Sequence, residues 1–188
     1  MFAIAVKVFA AYLLGSLNGS LIRGRLIGVD IRQEARGNAG GTNALRTHGK
    51  FFALGVVLID VLKAVAAAGW LPRLGAGSGD ALPWVQVACG AAAVIGHCYP
   101  IYFGFRGGKG MATLIGVYAV LSPVVLMVVV LTWLACMMLF GYVGIATMAG
   151  AAAAPVYTVL TGQGMNSPIL LFSLAMALLI IYTHRSNL

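Results

Sequence analysis

Lys109 stands in the run Phe103-Gly104-Phe105-Arg106-Gly107-Gly108-Lys109-Gly110-Met111-Ala112-Thr113, two cations among four glycines just ahead of an apolar stretch that predicts a helix. Glycine lets a backbone approach a ligand closely. Loop amides, a helix N-terminus and an ammonium together make a phosphate cradle. The run is not a Walker A loop, because Phe103 stands five residues before Gly108 and Gly110 replaces the required Ser or Thr. The alternative is an interfacial loop that only snorkels its cations into headgroups.

A second candidate is Arg36-Gly37-Asn38-Ala39-Gly40-Gly41-Thr42-Asn43-Ala44-Leu45-Arg46. Its glycines again predict available N–H groups, and Thr42 or Asn43 is placed to cap a following helix. Asn43 and Arg46, three apart, share a helical face. A solvated turn with a cap is the plainer reading. The third is His184-Arg185-Ser186-Asn187. There His184 and Asn187 face one site if the helix continues, and otherwise form a basic terminus that anchors the chain.

Asp60 and Lys63 have the spacing of a helical ion pair inside an apolar stretch, where charges are costly. A mutual structural pair is the preferred reading. Gly15-Ser16-Leu17-Asn18-Gly19-Ser20 is either a close helix-packing seam or a wall of the site. Cys89, Cys98 and Cys136 lack metal-ligand spacing and read as packing residues. Four acidic residues, no two of them clustered, argue against phosphotransfer through a carboxylate-held metal. No Ser-His-Asp set and no zinc pattern occurs.

The elements that must position these groups belong to a membrane. Of 188 residues, 61% are hydrophobic and 9% charged, against about 25% charged in soluble domains. The apolar start, Met1 to Leu14, reads as a retained helix rather than a signal peptide. Crossings are expected at Phe2–Ile22, Phe51–Leu71 and Leu82–Ile95. Residues 111 to 182 carry no charge. Breakers at Ser122-Pro123, Gly141–Gly144, Pro155 and Thr161–Pro168 divide them. The expectation is an all-α polytopic membrane protein of about seven helices, or five, forming one domain over residues 1–188.

Six of the twelve basic residues (Arg23, Arg25, Arg32, Arg36, Arg46 and Lys50) lie between the first and second stretches. In a soluble protein this charge would suggest nucleic acid. Here it predicts a cytoplasmic loop and affinity for anionic headgroups or substrates. Parity then puts the glycine-lysine segment and the C-terminus on the cytoplasmic side and the N-terminus outside.

In order and spacing the three segments resemble the PlsY-type acyl-phosphate:glycerol-3-phosphate acyltransferases of bacterial membranes. The matching residues are Gly37 to Asn43 with Arg46, Gly96-His97 through Gly107 to Thr113, and His184 to Asn187. Gly15-Ser16-Leu17 and Asp60-Val61-Leu62-Lys63 also look like family features. Two positions depart: Arg36 stands where the family usually has Ser, and Gly41 where it usually has Ala.

The resemblance implies acyl transfer from acyl phosphate to the 1-hydroxyl of glycerol 3-phosphate, giving lysophosphatidic acid and phosphate without a cofactor or metal. It implies a site at the inner face of the bacterial cytoplasmic membrane and contact with the enzyme that makes acyl phosphate. Lys109 and His184 are the expected catalytic residues, with either His184 or the donor's own phosphate as base. Gly107, Gly108 and Gly110 are expected with Lys109 at the acyl phosphate, and Asn43, Arg46, His184 and Asn187 at the acceptor. Asn38 and Thr113 are expected among the substrate-binding residues. The competing classes are a small transporter for phosphate or a phosphorylated solute, which would use Asp60, Lys63 and the broken late helices, and a lipid-binding scaffold.

Overall fold

The computed structural model describes residues 2–35, 37–75 and 79–187. Arg36 and Ser78 lie outside the described residues. Every regular element among the described residues is helical. Packing divides the chain into two compact units, Met1–Val117 and Tyr118–Leu188.

The first unit opens with α1 (Phe2–Gly15) and α2 (Gly19–Leu26). Sequence reasoning expected one continuous crossing here. Instead the helices meet at a 47° bend. The cause is Asn18, whose side-chain oxygen accepts from the Leu21 amide at 3.2 Å and so starts a new helix. α1 packs on α4 (Leu82–Cys98). A Cβ on Gly15 would collide with the Ala93 backbone, and one on Gly96 with the Tyr12 carbonyl. Of the two readings of the Gly15–Ser20 segment, the close helix-packing seam is what Gly15 forms.

α3 (Gly41–Val65) begins ten residues earlier than the apolar stretch suggested. Gly49 breaks it with φ 78 and ψ −179, a combination open essentially to glycine alone. A short helix, 41–48, therefore precedes the membrane-spanning part. The N-cap is Gly40, without a side-chain cap bond, so neither Thr42 nor Asn43 caps this helix. After α4 the chain makes a 3-10 turn at Ile101–Phe103 and enters α5 (Met111–Leu121).

The second unit holds α6 (Pro123–Phe140), α7 (Val143–Leu160) and α8 (Pro168–His184), with α6 on α7 and α7 on α8. Ser122 and Ser167 accept the amides of Val125 and Leu170, and a proline follows each cap. Gly141, left-handed at φ 73, ends α6. The expected breakers act at these points. Pro155 does not: it lies within α7, where Thr158 donates its hydroxyl to the Pro155 carbonyl at 2.9 Å.

Among the described residues, four helices are long and apolar enough to cross a membrane, and five if the bent α1–α2 pair counts as one span; α5 and α8 are apolar but shorter. Large side chains such as Met138, Leu139, Leu160 and Leu178 point outward, from 70% to 87% exposed. Water cannot be the solvent for such a surface. Aromatic rings under Arg23, Arg25, Lys50 and Arg185 suit the headgroup boundary.

Candidate active site

The glycine-lysine segment is folded by its own backbone. The Pro100 carbonyl accepts the amides of Phe103 (3.1 Å) and Phe105 (2.9 Å). Gly104 and Phe105 are both left-handed, at φ 66 and φ 59, and reverse the chain. It then runs back beside the end of α4: Gly107 donates to the Cys98 carbonyl at 3.0 Å, and Gly108 to the His97 carbonyl at 3.1 Å. The expectation that these two amides cradle an anion is corrected, because both are already bonded. The glycines serve close approach instead. A Cβ on Gly107 would strike the His97 carbonyl, and one on Gly108 would strike His97 Nε2.

Amides suited to an anion occur one step further on. Gly110, at φ 93, accepts the first intrahelical bond of α5, from Leu114 at 2.8 Å. The first-turn amides of a helix have no intrahelical acceptor, and here they are Met111, Ala112 and Thr113. Lys109 is half-buried immediately before them, and Thr113 is buried with a hydroxyl that has no hydrogen-bond partner among the described residues.

Residues 37–46 are held against this loop. Asn18 donates its amide to the Ala39 carbonyl at 3.3 Å, and that carbonyl lies 2.7 Å from where a Gly108 Cβ would be. Asn38 is half-buried and its side-chain nitrogen overlies Gly40. Asn43, expected to contact substrate, is buried and gives its Nδ2 hydrogens to the carbonyls of Ile31 and Glu34, each at 3.1 Å. It shapes the segment from behind. Arg46, one turn along, is exposed.

Sequence reasoning gave Arg32 no role beyond its share of the basic loop, yet it bonds to the glycine-lysine loop. Its guanidinium donates to the carbonyls of Phe103 (2.9 Å) and Arg106 (3.1 Å) while bonded to both carboxylate oxygens of Asp30. That hydrogen-bonded cation holds the Asp30 carboxyl below its ordinary range. The Asp-x-Arg spacing was the available signal, but loop carbonyls as acceptors leave no trace in a sequence.

Beneath both segments lies the predicted Asp60–Lys63 pair, at 2.8 Å. The ammonium also donates to the Leu17 carbonyl at 2.9 Å, and Asp60 accepts the Gly19 amide at 3.0 Å. His97 joins them, with Nδ1 3.0 Å from Lys63 Nζ and 3.3 Å from Asp60 Oδ1. Asp60, Lys63 and His97 are 1%, 6% and 2% exposed.

In the second unit His184 is the last residue of α8, and a 3-10 turn, Arg185–Asn187, follows. The α-helix does not carry on to Asn187. His184 is buried, and its Nδ1 donates to the Ile180 carbonyl at 2.8 Å. That bond makes Nε2 the basic nitrogen of the ring.

The profile of a family described as Glycerol-3-phosphate acyltransferase matches residues 5–188. A glycerol-3-phosphate acyltransferase of Aquifex aeolicus (strain VF5) is 37% identical over 182 residues, which are 96% of this chain and 91% of that protein. One from Coxiella burnetii (strain CbuG_Q212) is 38% identical over 186 residues, 98% of this chain and 92% of that protein. Two solved structures of PlsY, an integral membrane glycerol 3-phosphate acyltransferase, superpose over 98% of this chain and 89% of theirs. The glycerol 3-phosphate form gives a TM-score of 0.84 at 34% identity, and the lysophosphatidic acid form 0.81 at 33%.

Proposed function

Because the chain belongs to the glycerol-3-phosphate acyltransferase family, we propose the following division of labour for its reaction. The enzyme transfers a fatty acyl group from acyl phosphate to the 1-hydroxyl of glycerol 3-phosphate. The hydroxyl oxygen bonds to the acyl carbon, the bond from that carbon to the phosphate oxygen breaks, and inorganic phosphate leaves. The observation that carries this reading is a chain-long match combined with Lys109 at the mouth of α5.

Lys109, Gly110 and the first-turn amides of α5 bind the phosphate of the donor and stabilise charge on it as it departs. Gly107 and Gly108 bring the chain into place. Arg46, with Asn38 beside it, takes the phosphate of the acceptor, and Asn43 keeps their segment in shape. His184 and Asn187 serve the acceptor from the third motif. The base is either His184 Nε2 or an oxygen of the donor's phosphate. Seven crossings with the N-terminus outside and chemistry at the inner face suit one lipid and one cytosolic substrate. Contact with the enzyme that makes acyl phosphate would spare the donor a passage through water.

Purified protein in detergent, given acyl phosphate and glycerol 3-phosphate, should release phosphate and form lysophosphatidic acid, with or without EDTA, and should not use acyl-CoA. Strict dependence on Mg²⁺, or free use of acyl-CoA, would show the site misread. His184→Ala identifies the base. A loss in kcat of about 10²–10⁴ assigns the proton to the imidazole, whereas a loss confined to acceptor KM assigns it to the donor phosphate.

A further inference from the structure

We infer that Asp60, Lys63 and His97 form a positioning triad that locks the His97 ring as its Nε2–H tautomer beneath Gly108, and so sets the turn that presents Lys109. The inference rests on the reaction proposed above.

The tautomer follows from counting hydrogens. An ammonium has three and accepts none. Lys63 directs its three at Asp60 Oδ1 (2.8 Å), the Leu17 carbonyl (2.9 Å) and His97 Nδ1 (3.0 Å). The competing arrangement, Nδ1–H donating to Asp60 at 3.3 Å, would aim two N–H groups at each other across 3.0 Å. The shorter contact therefore decides: Nδ1 accepts, and the ring hydrogen is on Nε2. That nitrogen faces Gly108, where even a methyl group would collide with it.

What the triad touches makes it more than a neutralised pair. Asp60 holds the first amide of α2, and Lys63 holds a carbonyl in the α1–α2 break. Asn18, in the same break, fixes Ala39 against Gly108. His97 itself meets Gly108 twice: its backbone carbonyl accepts the Gly108 amide, and its ring lies where a Gly108 side chain would be. One buried cluster thus registers both polar segments. Displacement of Lys109 by about 1 Å would cost rate rather than binding, on the order of 10²-fold.

The test uses the full chain in detergent, with wild-type turnover measured first. The ring nitrogens of His97 are read by ¹⁵N NMR. The double variant Asp60→Leu with Lys63→Met removes the lock while keeping an apolar, well-filled interior, an exchange that proteins often tolerate. The expected result is an Nε2–H ring in the wild type. The double variant should keep a near-normal melting temperature and substrate KM values within about three-fold, with kcat lower by about 10–100-fold. Lys63→Gln should keep the fold and change the ring signature. The proposal is overturned by an Nδ1–H or doubly protonated ring in the wild type, which needs no variant to detect. It is also overturned by a folded double variant with normal kcat, by a loss that appears in KM instead, or by a loss that tracks loss of folded protein. If the wild type itself does not turn over, the reaction reading fails, whereas the ring measurement still judges the tautomer.

Discussion

In the proposed assignment Lys109 and Arg46 each hold a phosphate, yet they should fail differently. Lys109 meets a phosphate whose charge changes during the reaction, so Lys109→Ala should lower kcat by about 10²–10³. Arg46 meets a phosphate that stays unchanged, so Arg46→Ala should raise the KM for glycerol 3-phosphate and leave kcat nearly intact. Steady-state kinetics on protein shown to be folded separate the two, and equal kcat losses would contradict the assignment. The Asp30–Arg32 clamp adds a pH dependence. The Asp30 carboxyl is held low by its bond to Arg32, so its stabilising contribution is full above the ordinary aspartate value of about 4 and fades as pH falls below it. Asp30→Asn should lower thermal stability near neutral pH, and the gap to wild type should close in acid. A gap that widens in acid would contradict the clamp. Lys109 and Arg46 stood out in the sequence because cations among glycines are scarce in an apolar chain. The packing of Asn43 was not legible because an amide donates equally well to a ligand or to a neighbouring carbonyl, and only the fold brings Ile31 and Glu34 beneath it.

The apolar stretches located the helices well, since lipid demands both length and hydrophobicity of a crossing. Their ends were less legible. α3 reaches back to Gly41 because the segment 41–48 is helical without being apolar, and hydropathy registers only the part that spans. The bend in the first crossing rests on one side-chain oxygen, at Asn18. Pro155 remains in α7 because membrane-spanning helices tolerate an interior proline, the freed backbone group being re-satisfied by neighbouring helices, hydroxyls or local adjustment. Gly49 offers a clean test of the joint between the polar helix and the spanning one. No atom lies within 4 Å of where its Cβ would be, so a substitution there meets only the backbone penalty, about 1–3 kcal/mol for this region of φ and ψ. Gly49→Ala should therefore lower the melting temperature in detergent. If the joint straightens instead, Arg46 moves with it and the acceptor KM rises. A variant unchanged in both would show that the kink does not matter.

At the scale of the whole chain, the charges that invited a transporter reading bond to one another and to the backbone beside them. Asp60 and Lys63 pair with each other and hold the α1–α2 break. Composition alone established a membrane solvent, since 9% charged residues cannot cover a water-facing surface. Sidedness rests on a weaker physical signal, the retention of Lys and Arg on the cytoplasmic side. Arg23, Arg25, Arg32, Arg46 and Lys50 all fall between the first bend and the spanning part of α3, and the proposed reaction would place its phosphate-binding residues on that face. Single cysteines at Ala39 and after Leu188 should therefore react with impermeant maleimide only from the cytoplasm, and one at Ser78 only from outside. The chain's own Cys89, Cys98 and Cys136 would first be replaced. The C-terminal label is the decisive one. The crossings after the glycine-lysine segment must be even in number for His184 to share a side with Lys109. Labelling of the C-terminus from outside would separate the motifs across the bilayer, and no common site for donor and acceptor would survive it.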